Sequence, residues 1–251
     1  MIRIEDRPPV RILRMEHGKV QALDIELLGA LDAALARAQV DAVGAVVVTG
    51  SGSAFSAGVD LFRLVNGGKT YVDAFLPLLT IALLRLFSLP RPVVAAINGH
   101  AIAGGAIIAW CADVRLMAAG PGRIGIPELR VGVPFPAAPL EIARFGCGPS
   151  LSRAIVTGDT HSPEQALAAG LVDEVVPPEE LIDRSVGLAA QLAALPTDAF
   201  RLAKATVRQP TLARIEAMRP QLDPEVHQIW ASAATLDRIR AYLVKTVGRS
   251  G

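Results

Sequence analysis

Residues 93–113 constrain the chain more than any other stretch. They open with Val93-Val94-Ala95-Ala96-Ile97, an apolar run rich in β-branched residues that reads as a fully buried strand. Asn98-Gly99 breaks that strand with a turn pair. Gly104-Gly105 follow, and behind them an apolar run long enough for a buried helix. Strand, glycine loop and helix in that order leave unpaired backbone N–H groups at a helix N-terminus inside the protein. Glycine there lets a ligand approach the chain closely, and the helix dipole favours an oxygen that gains negative charge. The plainer reading is that the two glycines only allow tight helix packing, and the pair alone does not choose between the two.

At 251 residues and 51% hydrophobic, the chain suits one large α/β domain, or a domain with a small appendage. The strand run of residues 44–49 repeats the buried-strand pattern and ends in Gly50-Ser51-Gly52-Ser53, a loop. That loop continues through Ala54-Phe55-Ser56-Ala57-Gly58-Val59-Asp60-Leu61. Parallel strands deliver their C-terminal loops to one sheet edge, so a second cluster of N–H groups can form beside the first. Nucleotide motifs fail here. Gly50 and Gly52 are followed by Phe55 where a third glycine belongs, and Gly68-Lys69-Thr70 has Arg63 where a phosphate loop needs glycine. No Gly-x-Ser-x-Gly elbow occurs.

The flanking elements follow from local signals. Residues 1–23 read as a strand pair turning at His17-Gly18-Lys19, and Asp24 caps a helix carrying Ile25, Leu28, Leu31 and Leu35. Residues 72–88 read as a helix halted at Pro90, and residues 113–117 as a strand. Ser162-Pro163-Glu164-Gln165 starts a helix that Gly170 closes, before a strand over 171–176. Residues 179–195 are helical. Beyond Pro196 no strand signal remains, and the pattern is of helices broken at Pro210, Pro220 and Pro224. This divides the chain into a core over 1–195 and a C-terminal helical region over 196–251.

Several classes of function are disfavoured. A net charge of +1 offers no basic stripe for nucleic acid or an anionic membrane. His17, His100, His161 and His227 lack ligand spacing, so no metal site is expected. Cys111 and Cys147 form no disulfide framework and fit a reducing compartment. Arg3, Glu5, Asp6 and Arg7 interrupt any signal-peptide core. The longest apolar run, residues 101–112, falls short of the ~20 residues of a membrane span. A soluble, cytoplasmic protein is expected.

Taken together, Ala54-Phe55-Ser56-Ala57-Gly58-Val59-Asp60-Leu61, Ile97-Asn98-Gly99-His100-Ala101-Ile102-Ala103-Gly104-Gly105, Cys111-Ala112-Asp113-Val114-Arg115 and Gly125-Ile126-Pro127-Glu128 carry a resemblance. In order and distance they are similar to the crotonase (enoyl-CoA hydratase/isomerase) superfamily, and Thr157-Gly158 with residues 166–172 extends the match over roughly residues 10–190. The resemblance implies a spiral of β-β-α units with a C-terminal helical region used in trimer formation, hence a homotrimer or dimer of trimers. It also implies an acyl-CoA substrate, with coenzyme A arriving as part of that substrate and no separate cofactor. The thioester oxygen would accept hydrogen bonds from the Val59 and Gly104 N–H groups. Ala57, Asp60, Leu61 and Ile107 would belong to the same binding site. Residues 19–23, including Ala22, resemble an early CoA-contacting segment, although Gln21 stands where an Asn is usual.

Family hydratases use two carboxylates. One position matches Glu128; the other matches Ile107, which cannot ionise. A single glutamate resembles 3,2-enoyl-CoA isomerases, in which one base takes a proton and returns it elsewhere. The expected activity is therefore double-bond isomerisation of 3-enoyl-CoA. The alternatives are hydration by Glu128 alone and a non-catalytic acyl-CoA-binding scaffold.

Overall fold

The computed structural model describes residues 1–247. Strands β1 (Ile2–Arg7) and β2 (Val10–Met15) pair antiparallel with Arg7 opposite Val10, so the hairpin turns at Pro8-Pro9. The turn expected at His17-Gly18-Lys19 is instead the crossing into α1 (Ile25–Val40). Two prolines offer no N–H groups to a ladder, so the pairing ends there. Asp24 does cap α1, accepting the Leu27 N–H at 2.8 Å.

From residue 45 onward a three-part unit repeats. It runs β3 (Ala45–Thr49), β4 (Ala54–Ser56), α2 (Leu61–Phe87), and then β5 (Val93–Ile97), β6 (His100–Ile102), α3 (Gly104–Trp110). The third unit is β7 (Val114–Ala118), β8 (Ile124–Gly125), α4 (Glu128–Val131). After it come α5 (Ala137–Cys147), α6 (Leu151–Thr157), β9 (Thr160–His161), α7 (Pro163–Ala168) and β10 (Glu174–Val176). Three helices complete the described chain: α8 (Leu181–Ala193), α9 (Thr197–Trp230) and α10 (Ala233–Val247). The first strand of each unit joins a sheet ordered β1-β2-β3-β5-β7-β10, and the second joins a smaller sheet ordered β4-β6-β8-β9. This is the expected spiral of β-β-α units with a helical C-terminal region.

Both faces of the larger sheet are buried, which is why its central strands are near-continuous runs of apolar residues. Val46, Val48, Ala95 and Ile97 face the main core with α1, α2 and α3; Ala45, Val47, Val94 and Ala96 face α8. Strand β10 is shorter than the expected 171–176 because Leu171 and Val172 sink into the main core before pairing with β7 begins.

Two helices depart from expectation. Helix α2 starts at Leu61, not at residue 72, with Asp60 as its cap. Gly68 sits within it at φ 55° and ψ −145°, a conformation only glycine adopts without strain, so the helix kinks just before the start that the sequence suggested. At 27 residues α2 is long and apolar enough to cross a membrane, unlike the apolar run of residues 101–112. Its Phe75, Leu79, Leu83 and Phe87 nevertheless pack into the main core. Helix α9 runs 34 residues straight through Pro210, Pro220 and Pro224. An interior proline costs about 3 kcal/mol, and tertiary anchors offset it. Lys204 donates to Asp113 at 2.7 Å and to the Arg91 carbonyl at 2.8 Å. Arg208 donates to Asp113 at 2.6 Å, to the Cys111 carbonyl closing α3 at 2.9 Å, and to the Phe87 carbonyl. The last four residues of the C-terminal region lie outside the described chain.

Candidate active site

Strands β4, β6 and β8 are parallel neighbours, so their C-terminal ends open side by side on one edge of the small sheet. Three segments leave from that edge: residues 57–60 after β4, Ala103 and the start of α3 after β6, and Ile126-Pro127-Glu128 after β8. Residues far apart in sequence are thereby brought to one place.

The first two segments touch backbone to backbone. A Cβ added at Gly58 would stand 2.8 Å from the Ile102 oxygen and 3.2 Å from the Gly104 nitrogen; one at Gly105 would stand 2.3 Å from the Ser56 oxygen. The packing reading of the glycine pair is thus correct for Gly105. Around Val59 most N–H groups are spoken for. Ala57 donates to the Val20 carbonyl at 2.9 Å, Gly58 to the Ser56 hydroxyl at 3.2 Å, and Asp60 to the Leu23 carbonyl at 2.9 Å. Among the described residues, neither the Val59 nor the Gly104 N–H finds a protein acceptor. Gly104 is the first residue of α3, where a helix leaves its N–H groups unused.

The arrangement holds two residues with side chains in strained backbone conformations. Ala103, just before α3, has φ 53° and ψ −125°, which costs a residue with a side chain about 1–3 kcal/mol. Gln21 is also left-handed at φ 49° and is buried. Its side-chain amide donates to the Ser51 and Ala54 carbonyls at 2.5 and 2.9 Å, and its own carbonyl accepts from the Ser56 hydroxyl at 2.7 Å. Asparagine tolerates a left-handed conformation better than most residues, so the residue that the resemblance leads one to expect there would fit this backbone.

Glu128 opens the single turn α4 and is buried; its Oε2 has no hydrogen-bond partner among the described residues. Burial without a compensating cation pushes its carboxyl up to about 8. It lines an apolar cavity of about 100 Å³ that Ala57, Val59, Leu61, Gly104 and Ile107 also line. Glu128 is the only carboxylate among the described lining residues, and Ile107, 1% exposed, gives the cavity an apolar wall. Ala22 and Asp60 are not part of that lining: Asp60 caps α2 by accepting the Arg63 N–H at 3.0 Å.

The remaining walls were not legible as a site. Leu79 and Leu83 come from α2, Phe135 from the proline-rich strap after α4, Trp230 from the end of α9 and Tyr242 from α10. With two tryptophans and two tyrosines in the chain, aromatic rarity is the only sequence signal that could have singled out Trp230 and Tyr242. The C-terminal helices therefore contribute to the rim and walls of the pocket.

Known proteins bear out this architecture. The family model described as enoyl-CoA hydratase/isomerase matches residues 9–240. The human mitochondrial enoyl-CoA delta isomerase 1 is 29% identical over 214 residues, covering 84% of this chain and 71% of that protein. The crystal structure of human mitochondrial delta3-delta2-enoyl-CoA isomerase superposes with a TM-score of 0.94 at 26% identity, covering 100% of this chain and 99% of that one. A probable enoyl-CoA hydratase from Mycobacterium tuberculosis superposes with a TM-score of 0.84 at 35% identity, covering 90% and 96%.

Proposed function

The chain belongs to the enoyl-CoA hydratase/isomerase family, and on that premise we propose that it shifts the double bond of a 3-enoyl-CoA thioester to the 2-position. The observation that carries this reading is the cavity lining: one carboxylate, Glu128, and isoleucine at position 107. The ionised Glu128 takes a proton from carbon 2; the C–H electron pair forms a double bond between carbons 1 and 2, and the carbonyl π pair moves onto the thioester oxygen, giving a dienolate conjugated with the double bond at carbon 3. The oxygen that becomes negative accepts from the Val59 and Gly104 N–H groups, where losing one such donor typically costs about 3 kcal/mol of barrier. Glu128 then returns the proton to carbon 4, leaving the double bond at carbon 2. A carboxyl with its pKa near 8 suits both halves, because a base that must release its proton again works best near the ambient pH.

Hydration would require a water held and activated between two groups, and an apolar wall at Ile107 holds none. The test offers 3-enoyl-CoA and 2-enoyl-CoA separately and identifies each product. Isomerisation of the first with little 3-hydroxyacyl-CoA from the second supports the proposal. Hydration of 2-enoyl-CoA at about 10 per second, an ordinary enzymatic rate, would refute it in favour of a single-glutamate hydratase. Binding of both esters with conversion of neither would leave a scaffold.

Ile107→Glu supplies the missing carboxylate. Ile107 lies three residues beyond Gly104 on α3 and lines the same cavity as Glu128. The new group gains from the helix N-terminus but is buried in an apolar wall, which works against ionisation. The expected result is a measurable gain of 3-hydroxyacyl-CoA formation over the parent, with a loss of stability of about 1–3 kcal/mol. No gain in hydration would mean that position 107 is not what separates the two activities.

A further inference from the structure

We propose that the pocket is built for a short acyl chain and that Trp230 is the residue that fixes its depth; this rests on the acyl-CoA reading of the site. The cavity beside Glu128 measures about 100 Å³. An apolar protein cavity of about 150 Å³ accommodates benzene, so this one has room for roughly four carbons, the thioester carbon beside Val59 and Gly104 among them.

The two aromatic residues contributed by the C-terminal helices occupy different depths. Tyr242 on α10 is 39% exposed and marks the mouth, whereas Trp230 at the end of α9 is 3% exposed and marks the interior. Trp230 cannot yield easily. Its indole N–H donates to the Pro134 carbonyl at 2.8 Å, and its ring stacks on Phe75 with centroids 6.3 Å apart. Phe75 stacks in turn on Tyr71 at 5.8 Å, so a column of rings backs the indole. The strap facing it is tied to the same helix at its other end, where Asp223 accepts the Ala137 N–H at 2.9 Å. A longer chain that runs toward Trp230 meets the hydrogen-bonded indole and the ring column behind it. The depth of the pocket is therefore fixed by packing.

The experiment measures calorimetric binding of the saturated esters butyryl-CoA and dodecanoyl-CoA, which need no turnover. The parent protein is expected to bind butyryl-CoA at least about tenfold more tightly, the discrimination a closed apolar pocket gives. Trp230→Ala should move the ratio of the two affinities toward dodecanoyl-CoA by about tenfold or more. Trp230→Phe, which keeps a ring but loses the hydrogen bond, should move it less; if the alanine variant does not fold, Trp230→Leu replaces it. Equal affinities in the parent, or a ratio unchanged when Trp230 is truncated, would overturn the proposal. A protein that ranks the esters as expected but fails to convert 3-enoyl-CoA would count against the isomerase reading alone. One that converts it while ignoring chain length would count against this inference alone.

Discussion

Glu128→Gln is expected to lower turnover of 3-enoyl-CoA by about 10²–10⁴-fold, the usual contribution of a positioned acid–base group, and at the same time to stabilise the protein at neutral pH. The two effects share a cause. The carboxyl is buried with Oε2 unpartnered, and its pKa lies near 8 in the folded protein against 4.5 for an ordinary glutamate. Between those two values the folded state holds a proton that the unfolded state releases, so stability falls as pH rises through the window. At pH 7 the cost is about 3 kcal/mol, of which glutamine, needing its own hydrogen bonds, returns about 2. Denaturant unfolding at pH 5 and pH 8 checks the sign: the advantage of the variant should be small at pH 5 and grow by pH 8. An advantage independent of pH would remove desolvation of Glu128 as its cause. The parent enzyme should show the matching kinetic signature, kcat/KM climbing with pH, reaching half its plateau at about 8 and levelling only above that as the base ionises fully.

Gly105→Ala is expected to reduce kcat by about 10²-fold, the effect of misplacing a reacting geometry by roughly 1 Å. The added methyl carbon would stand 2.3 Å from the Ser56 oxygen and 2.9 Å from the Ser56 carbonyl carbon, both backbone atoms anchored in β4. Neither can swing aside as a side-chain tip would, so the start of α3 must retreat from the segment that carries Val59. That retreat separates the two N–H groups proposed to hold the thioester oxygen, while Glu128 stays in place on its own turn after β8. Alanine is the better helix former by about 1 kcal/mol, but overpacking costs about 1–3 kcal/mol and should win. Urea melts and steady-state kinetics on the variant check both parts. An unchanged kcat with raised stability would mean that the contact between the two segments is not what positions the site.

Much of the site was legible because its signals are local. Gly104-Gly105 after a buried strand, the Asp24 cap and Glu128 after Ile124-Gly125-Ile126-Pro127 each lie within a few residues of the feature they specify. The resemblance then assigned Val59, Gly104, Ile107 and Glu128 to one cavity, and the structure does place them on its lining. Asp60 caps α2 and is not part of the cavity lining, which the sequence alone did not show, since a carboxylate that caps a helix and one that faces a ligand look alike until the helix start is known. The sequence reading began that helix at residue 72 and so missed the start at Leu61, because Gly67-Gly68 interrupts the helical pattern and Gly68 is a kink inside a longer helix.

The sequence by itself determined the strands over 44–49, 93–97 and 113–117, the Asp24 and Ser162 caps and the absence of a carboxylate at position 107, while the repeating unit was what the resemblance implied. These depend on residue type, on periodicity or on covalent neighbours. Only the tertiary structure decided that Ser56 and Gly105 meet backbone to backbone, that Lys204 and Arg208 tie α9 to Asp113, and that Phe135, Trp230 and Tyr242 line one pocket. Each is a contact between segments far apart in the chain. Its energy exists only after the sheets have brought those segments together, so no local pattern records it.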